Sequence, residues 1–225
     1  MPVQFHEPLH PPGEWGLWRI DEPEDWLRAN LQLHPAELAG LDQIRGTGRR
    51  REFLAARHLL HHMSGRSHRG ELVKDAAGKP HLADSTFYVS ISHTVDYSAA
   101  IAHPDPCGVD VQRIVPRITR LAHKFVGEGE KVQLSPRHEL TQLHLIWSAK
   151  EAMYKAFGRR QLDFRDHLFV DLGTYSATTT TGTAYLKKGA VEMLFDLTWR
   201  VYDDFVLVAA VERRPPPVGT GTAES

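Results

Sequence analysis

Residues 143–158 read LHLIWSAKEAMYKAFG. Leu143, Ile146, Trp147, Tyr154 and Phe157 recur at helical spacing and define an apolar stripe, so the period predicts a helix over Glu139 to Phe157. Lys150 and Glu151 interrupt that stripe in its middle. Charged groups inside an apolar stripe are costly unless both find partners. Glu151 and Lys155 stand in the favourable i, i+4 order for an ion pair. The interruption therefore reads either as a surface salt bridge beside the core or as a site.

Upstream, GVDVQR (108–113) alternates as a strand, with Val109 and Val111 on one side and Asp110 and Gln112 on the other. A carboxylate and an amide oxygen side by side suit a hard cation such as Mg²⁺; the alternative is a half-buried strand with a solvated face. Further upstream, GRRREFLAARHLLHHM (48–63) predicts a helix from about Arg49 to Met63. Arg50, Phe53, Leu54 and Arg57 share one face of it. Two arginines flanking an apolar patch form a phosphate-binding edge or snorkel from the rim of a buried face. Gly78-Lys79-Pro80 is a turn presenting a lysine, and Ser92-His93 ends a strand.

YVSISHTVDYSAAIA (88–102) and LTWRVYDDFVLVAAV (197–211) share a shape: strand, short polar turn, and a strand ending in paired alanines. Each follows a helix-rich stretch, which suggests two similar halves with a boundary near Arg113 to Pro116. The other expected elements are a strand at Gly16–Ile20 and helices at Pro23–Asn30, Pro35–Ile44 and Ile118–Phe125. Strands are also expected at Leu168–Leu172 and Thr183–Leu186. Residues 1–13 read as irregular, Gly127-Glu128-Gly129 as a loop, and RRPPPVGTGTAES (213–225) as a disordered end.

The 225 residues carry 27 Lys plus Arg against 28 Asp plus Glu, so global charge argues for neither nucleic acid nor membrane binding. Cys107 is the single cysteine, which excludes an intrachain disulfide and fits a reducing compartment. The N-terminus has no basic and apolar leader pattern, and no run approaches a membrane span. The expected location is the cytoplasm.

GKP (78–80), SISH (90–93), GVDVQ (108–112) and WSAKEAMYKAFG (147–158), in that order and at these spacings, resemble the 4′-phosphopantetheinyl transferases. The closer match is the two-lobed, surfactin-synthetase-activating type, and it extends from roughly Arg49 to Leu168. The resemblance implies an α/β (α+β) fold of two similar lobes in pseudo-twofold arrangement, here 1–113 and 114–212, with coenzyme A and Mg²⁺ in the cleft between them. It implies metal binding by Asp110 and Glu151. Gln112 matches the family's second acid in the strand motif, keeping an oxygen ligand but losing a charge. By the same resemblance Lys150 and Lys155 contact the coenzyme A phosphates, and Lys79, Ser92 and His93 hold the nucleotide end. Arg57, and less securely Arg50, match the family's first basic helix.

The implied reaction is attack by a carrier-protein serine on the β-phosphorus of the coenzyme A pyrophosphate, releasing adenosine 3′,5′-bisphosphate. Glu151 is the candidate base and Lys155 an electrostatic catalyst. Glu130 is placed near the metal. The partner is an acyl or peptidyl carrier protein, with Arg117, Arg120, His123 and Lys124 as a candidate docking patch, and the chain is expected to act as a monomer. Two other readings stay open. One is a non-catalytic homologue that binds coenzyme A or the carrier, favoured by Gln112. The other is a zinc protein built on His58, His61 and His62, against which stand the absence of an HExxH motif and a basic setting in which these histidines read as exposed.

Overall fold

A computed structural model describes residues 3–159 and 161–214. Alternation along the two hairpins sets its layers. β5 (Tyr88–Thr94) and β6 (Tyr97–His103) are joined through Val95 and Asp96, and Asp96 takes φ 66°, a left-handed conformation that a short polar side chain tolerates. On β6, Ala99 and Ile101 face one side and Ala100 the other. β10 (Val191–Val201) and β11 (Phe205–Glu212) repeat the plan, with Phe205, Leu207 and Ala209 on one side and Val206, Val208 and Ala210 on the other. Both faces of β11 are covered, which is why FVLVAAV is an unbroken apolar run.

Two antiparallel sheets result. The first runs β1 (Val3–Pro8), β2 (Glu14–Arg19), β6, β5, β4 (Pro80–Leu82), β3 (Leu72–Lys74). The second runs β7 (Cys107–Arg113), β11, β10, β9 (Thr181–Lys188), β8 (Leu168–Asp171). They meet through Trp15, Leu17, Ala99 and Ile101 of the first and Val109, Val111, Phe205 and Leu207 of the second. A long helix backs each outer face: α3 (Thr47–Ser64) packs Leu54, Leu59 and Leu60 onto the first sheet, and α6 (Glu139–Phe157) packs Ile146, Ala149 and Met153 onto the second. Each fully buried Leu, Ile or Met among these contributes about 1.5–3 kcal/mol. The two similar α/β lobes expected from the sequence are thus sheets of like build, each with its own helix. Short helices α1 (Glu24–Ala29), α2 (Pro35–Asp42), α4 (Ile118–Leu121) and α5 (Glu128–Lys131) fill the ends. No helix among the described residues is long and apolar enough to cross a membrane.

Several expectations need correction. Val3–Pro8 is a strand on β2, not an irregular arm, because Phe5 has the Trp15 ring to pack against edge-on. β3 and β4, three residues each, went unforeseen. β7 pairs with β11 and so belongs to the second sheet, although a boundary after residue 113 assigns it to the first lobe; the chain changes sheets between His103 and Cys107. Glu128–Lys131 is a helical turn whose capping side chain, Glu130, accepts from Gly127 N. Of the expected C-terminal tail, Arg213 and Arg214 are held, by Asp196 and Asp105 respectively; residues 215–225 lie outside the described residues.

Candidate functional site

The site forms where β7 meets α6. Gly108 makes the meeting possible: a Cβ there would stand 1.9 Å from the Ala152 carbonyl oxygen and 3.0 Å from Ala156 N, so only glycine allows the helix backbone this close to the strand. Two residues along, on the same side of β7, Asp110 is 6% exposed. Its Oδ1 accepts from Ser92 Oγ on β5 (2.9 Å) and from Lys155 Nζ on α6 (2.9 Å). Lys155 Nζ also donates to Val109 O and Ser92 Oγ, both at 2.9 Å, so the ammonium is held by three partners. Asp110 Oδ2 is buried and meets no hydrogen-bond partner among the described residues.

Glu151 lies half-buried beside this group. Burial first, and then the charge of Asp110, push its carboxyl above the usual range, while Lys155 pulls the other way. A carboxylate with an orphaned oxygen, next to a second carboxylate held above its normal pKa by burial and by the first, has an unmet need for positive charge. That donor set fits a hard divalent cation, which takes oxygen ligands and keeps several waters. Gln112, the next residue on this side of β7, is half-buried, and its side chain makes no hydrogen bond among the described residues. It borders a groove with Val115, Leu121, His144 and Trp147. Among the described residues no cluster of three or more His, Cys, Asp or Glu could hold a metal, so any cation here relies on the two acids and neutral oxygens.

A second groove, of about 130 Å³, runs from this point between β5 and the end of α6, lined by Lys79, Pro80, Ser90, Tyr154, Lys155 and Arg159. Lys79 Nζ donates to Ala156 O at 2.5 Å, tying the GKP turn to α6, and burial lowers its pKa. His93, exposed near the end of β5, has Nδ1 2.9 Å from Glu52 Oε2 on α3.

The structure thus brings together Asp110, Glu151, Lys155 and Ser92, with Lys79, His93 and Gln112 near the periphery. Three expected phosphate ligands lie elsewhere. Lys150 is 0% exposed; its Nζ donates to Phe125 O (2.5 Å), Phe164 O (2.8 Å) and Glu130 Oε2 (2.8 Å). That trio is what makes a lysine inside the apolar stripe tolerable, and complete burial keeps Lys150 from any ligand, whereas the Lys155 side chain is 27% exposed. Glu130 is correspondingly not near a metal: its other oxygen accepts from Val170 N at 2.9 Å. Arg50 pairs with Glu24 (2.6 Å) and donates to Leu41 O, while Arg57 is buried 3.2 Å from Glu37, so both arginines fasten α3 to α1 and α2. His58 is not exposed either: it is buried near the Trp18 and Trp26 rings with Nε2 on Leu27 O at 2.7 Å, which removes it from any zinc cluster with His61 and His62.

Sequence reasoning missed Glu52, which orients His93, and Arg159 and Tyr154 in the groove. A glycine opening a strand motif, Gly108, was the available signal of close backbone approach. Arg49 is exposed on α3 three residues before Glu52, on the face that meets His93.

Two family models match the chain: the 4′-phosphopantetheinyl transferase superfamily over residues 106–206, and the 4′-phosphopantetheinyl transferase N-terminal domain over residues 45–103. The two matches meet where the chain passes from β6 to β7. The 4′-phosphopantetheinyl transferase gsp of Aneurinibacillus migulanus is 28% identical over 89 residues, 38% of this chain and 37% of that protein. The 4′-phosphopantetheinyl transferase ffp of Bacillus subtilis is 29% identical over 86 residues, 36% of this chain and 38% of that protein. Enterobactin synthase component D of Salmonella austin is 29% identical over 131 residues, 53% of each. The chain spans about half or less of the length of these relatives.

Proposed function

The chain belongs to the 4′-phosphopantetheinyl transferase superfamily, in its two-lobed type, and from that premise we propose that it transfers the phosphopantetheine arm of coenzyme A to a serine of an acyl or peptidyl carrier protein. The observation that carries this reading is the orphaned Asp110 Oδ2 beside Glu151 and Lys155. Two acids in need of a cation, next to an ammonium at the end of a groove, suit a pyrophosphate bound with a divalent metal.

Asp110, Glu151 and the Gln112 amide oxygen would hold Mg²⁺, which when bound neutralises charge on the pyrophosphate. The residues of the chain do the rest. Lys79, Ser92 and His93 hold the nucleotide end of coenzyme A. Arg49, exposed on α3, takes the phosphate role that Arg50 and Arg57 cannot, being committed to Glu24 and Glu37. Lys155 stabilises charge developing on the leaving oxygen. Glu151 accepts the serine proton. The serine oxygen bonds to the β-phosphorus as the phosphorus–oxygen bond to adenosine 3′,5′-bisphosphate breaks. Exposed Arg117, Arg120, His123 and Lys124 surround the exposed Leu121 beside the Gln112 groove, a basic rim on an apolar centre that suits an acidic carrier. We place the lobe division between residues 103 and 106, and the protein in the cytoplasm as a monomer.

The test is mass spectrometry of an apo acyl carrier protein incubated with this protein, coenzyme A and Mg²⁺. The expected result is the mass gain of one phosphopantetheine group, absent without metal. Gln112, where a carboxylate is expected, favours one competitor, a non-catalytic binding homologue. Measurable coenzyme A binding with no mass gain on several carriers would select it.

A further inference from the structure

α3 has one end at the cleft and the other at a separate cavity. Roughly 12–16 Å along the helix from Glu52, at 1.5 Å per residue, Leu60 and Met63 join Leu82, Phe87 and Ala102 around a space of about 280 Å³. An apolar cavity of about 150 Å³ holds a benzene ring, so this one accepts a ring with a substituent or a short alkyl chain. It shares no lining residue with the groove of Lys79 and Lys155.

Arg69 stands in its wall, 4% exposed. Nη1 donates to Gly70 O (2.8 Å) and Nη2 to Glu37 Oε2 (2.8 Å), and Nη2 lies 2.7 Å from Oε1. Nε is buried and meets no acceptor among the described residues. Arg57 uses the same carboxylate, 3.2 Å from Glu37 Oε1. Two buried guanidiniums therefore share one carboxylate, and one positive charge is left over. Of the other charged groups of the wall, Arg66 pairs with Asp84 at 2.9 Å, and Glu14 lies 2.6 Å from His6, which cancels its charge when the ring is protonated. A buried, uncompensated charge is costly, and a monovalent anion entering the cavity would offset that cost.

We propose that this cavity binds a small amphipathic carboxylic acid, its carboxylate beside the Arg69 side chain and its ring or alkyl chain against Leu60, Met63 and Phe87. One surplus charge matches one carboxylate, and the apolar floor favours a hydrocarbon body over a free phosphate.

The experiment is saturation-transfer NMR on the full chain with benzoate and hexanoate, each set against its alcohol, benzyl alcohol and hexanol. The acids are expected to saturate with a Kd at least about tenfold below the alcohols, to persist when coenzyme A is added, and to lose saturable binding in Leu82→Trp, which fills the space. Equal binding of acids and alcohols, displacement of the acids by coenzyme A, or no saturation by about 10 mM acid each overturns the proposal. The acid–alcohol comparison and the coenzyme A competition use the unaltered protein, so they decide the matter even where Leu82→Trp fails to fold. None of these readouts depends on transferase activity.

Discussion

Replacing Gly108 by alanine tests how the site is held. The added methyl would sit 1.9 Å from Ala152 O and 2.8 Å from Ala152 C, both backbone atoms of α6 that no rotamer change can move. Restoring ordinary contact needs a shift of about 1.5 Å between helix and strand. Lys155 and Glu151 ride on that helix and Asp110 on that strand. The 2.9 Å bonds from Lys155 to Asp110, Val109 and Ser92 and the 2.5 Å bond from Lys79 to Ala156 O would therefore lengthen beyond hydrogen-bond range. Overpacking of this kind costs about 1–3 kcal/mol of stability, whereas a 1 Å misplacement of catalytic groups can cost about 100-fold in rate. The assays are urea unfolding followed by fluorescence, and initial rates of carrier modification. Gly129→Ala is the control, because nothing lies within 4 Å of a Cβ at that helical position. A Gly108→Ala protein that folds with unchanged stability and transfers at the normal rate would refute the argument that close approach of α6 builds the site.

Lys150→Met should cost about 3–5 kcal/mol, because it strips a buried carboxylate of its cation; the urea midpoint reads this, and coenzyme A KM should stay unchanged in protein that remains folded. Arg49→Ala should raise the KM for coenzyme A several-fold, while Arg50→Ala should instead lower thermal stability; the reverse pattern in steady-state kinetics and melting would restore Arg50 to the site. Gln112→Glu should tighten Mn²⁺ binding by about tenfold or more, measured by titration calorimetry, since it adds a charge to the two acids. Burial lowers the pKa of His58, His103 and His144 below 6.5, with partial opposition from Leu27 O, from Asp105 and from Val115. The unfolded chain then binds more protons as pH falls below 6.5, so their contribution is complete above that value and is lost in acid, at up to about 1.4 kcal/mol per pH unit for each histidine. Urea midpoints at pH 7.5 and 5.5 should show that loss in the Glu151→Gln background, which removes the oppositely signed titration of the raised Glu151 carboxyl; equal midpoints would contradict it.

What was legible in the sequence was local. α6 has the bounds its apolar period predicts, and both hairpins and β7 follow from alternation. Asp110, Glu151 and Lys155, singled out from separate motifs, lie together. What was not legible depended on distant partners. Lys150 has the spacing of a ligand, but Glu130 meets it from a one-turn helix that carries no periodic signal. Arg50 and Arg57 share a helix face as a phosphate edge would, yet Glu24 and Glu37 reach them from α1 and α2. Charge pattern on one helix does not reveal which acids will be folded against it. β1 has only Val3 and Phe5 as apolar signal among histidine and proline, and its pairing rests on β2.

The position of β11 bears on how the molecule is assembled. It lies between β7 and β10, and Arg113 pairs with Phe205 across about ninety intervening residues. On a growing polypeptide, the strand that carries Asp110 emerges with one flank bare and keeps it until residues 205–212 have been synthesised. Such non-local pairing slows folding, and an exposed apolar edge invites self-association in the meantime. A ribosome stalled before Phe205 would therefore display a first sheet whose inner face still lacks Phe205, Leu207 and Ala209, joined to an unfinished sheet in which Asp110 and α6 have no fixed separation.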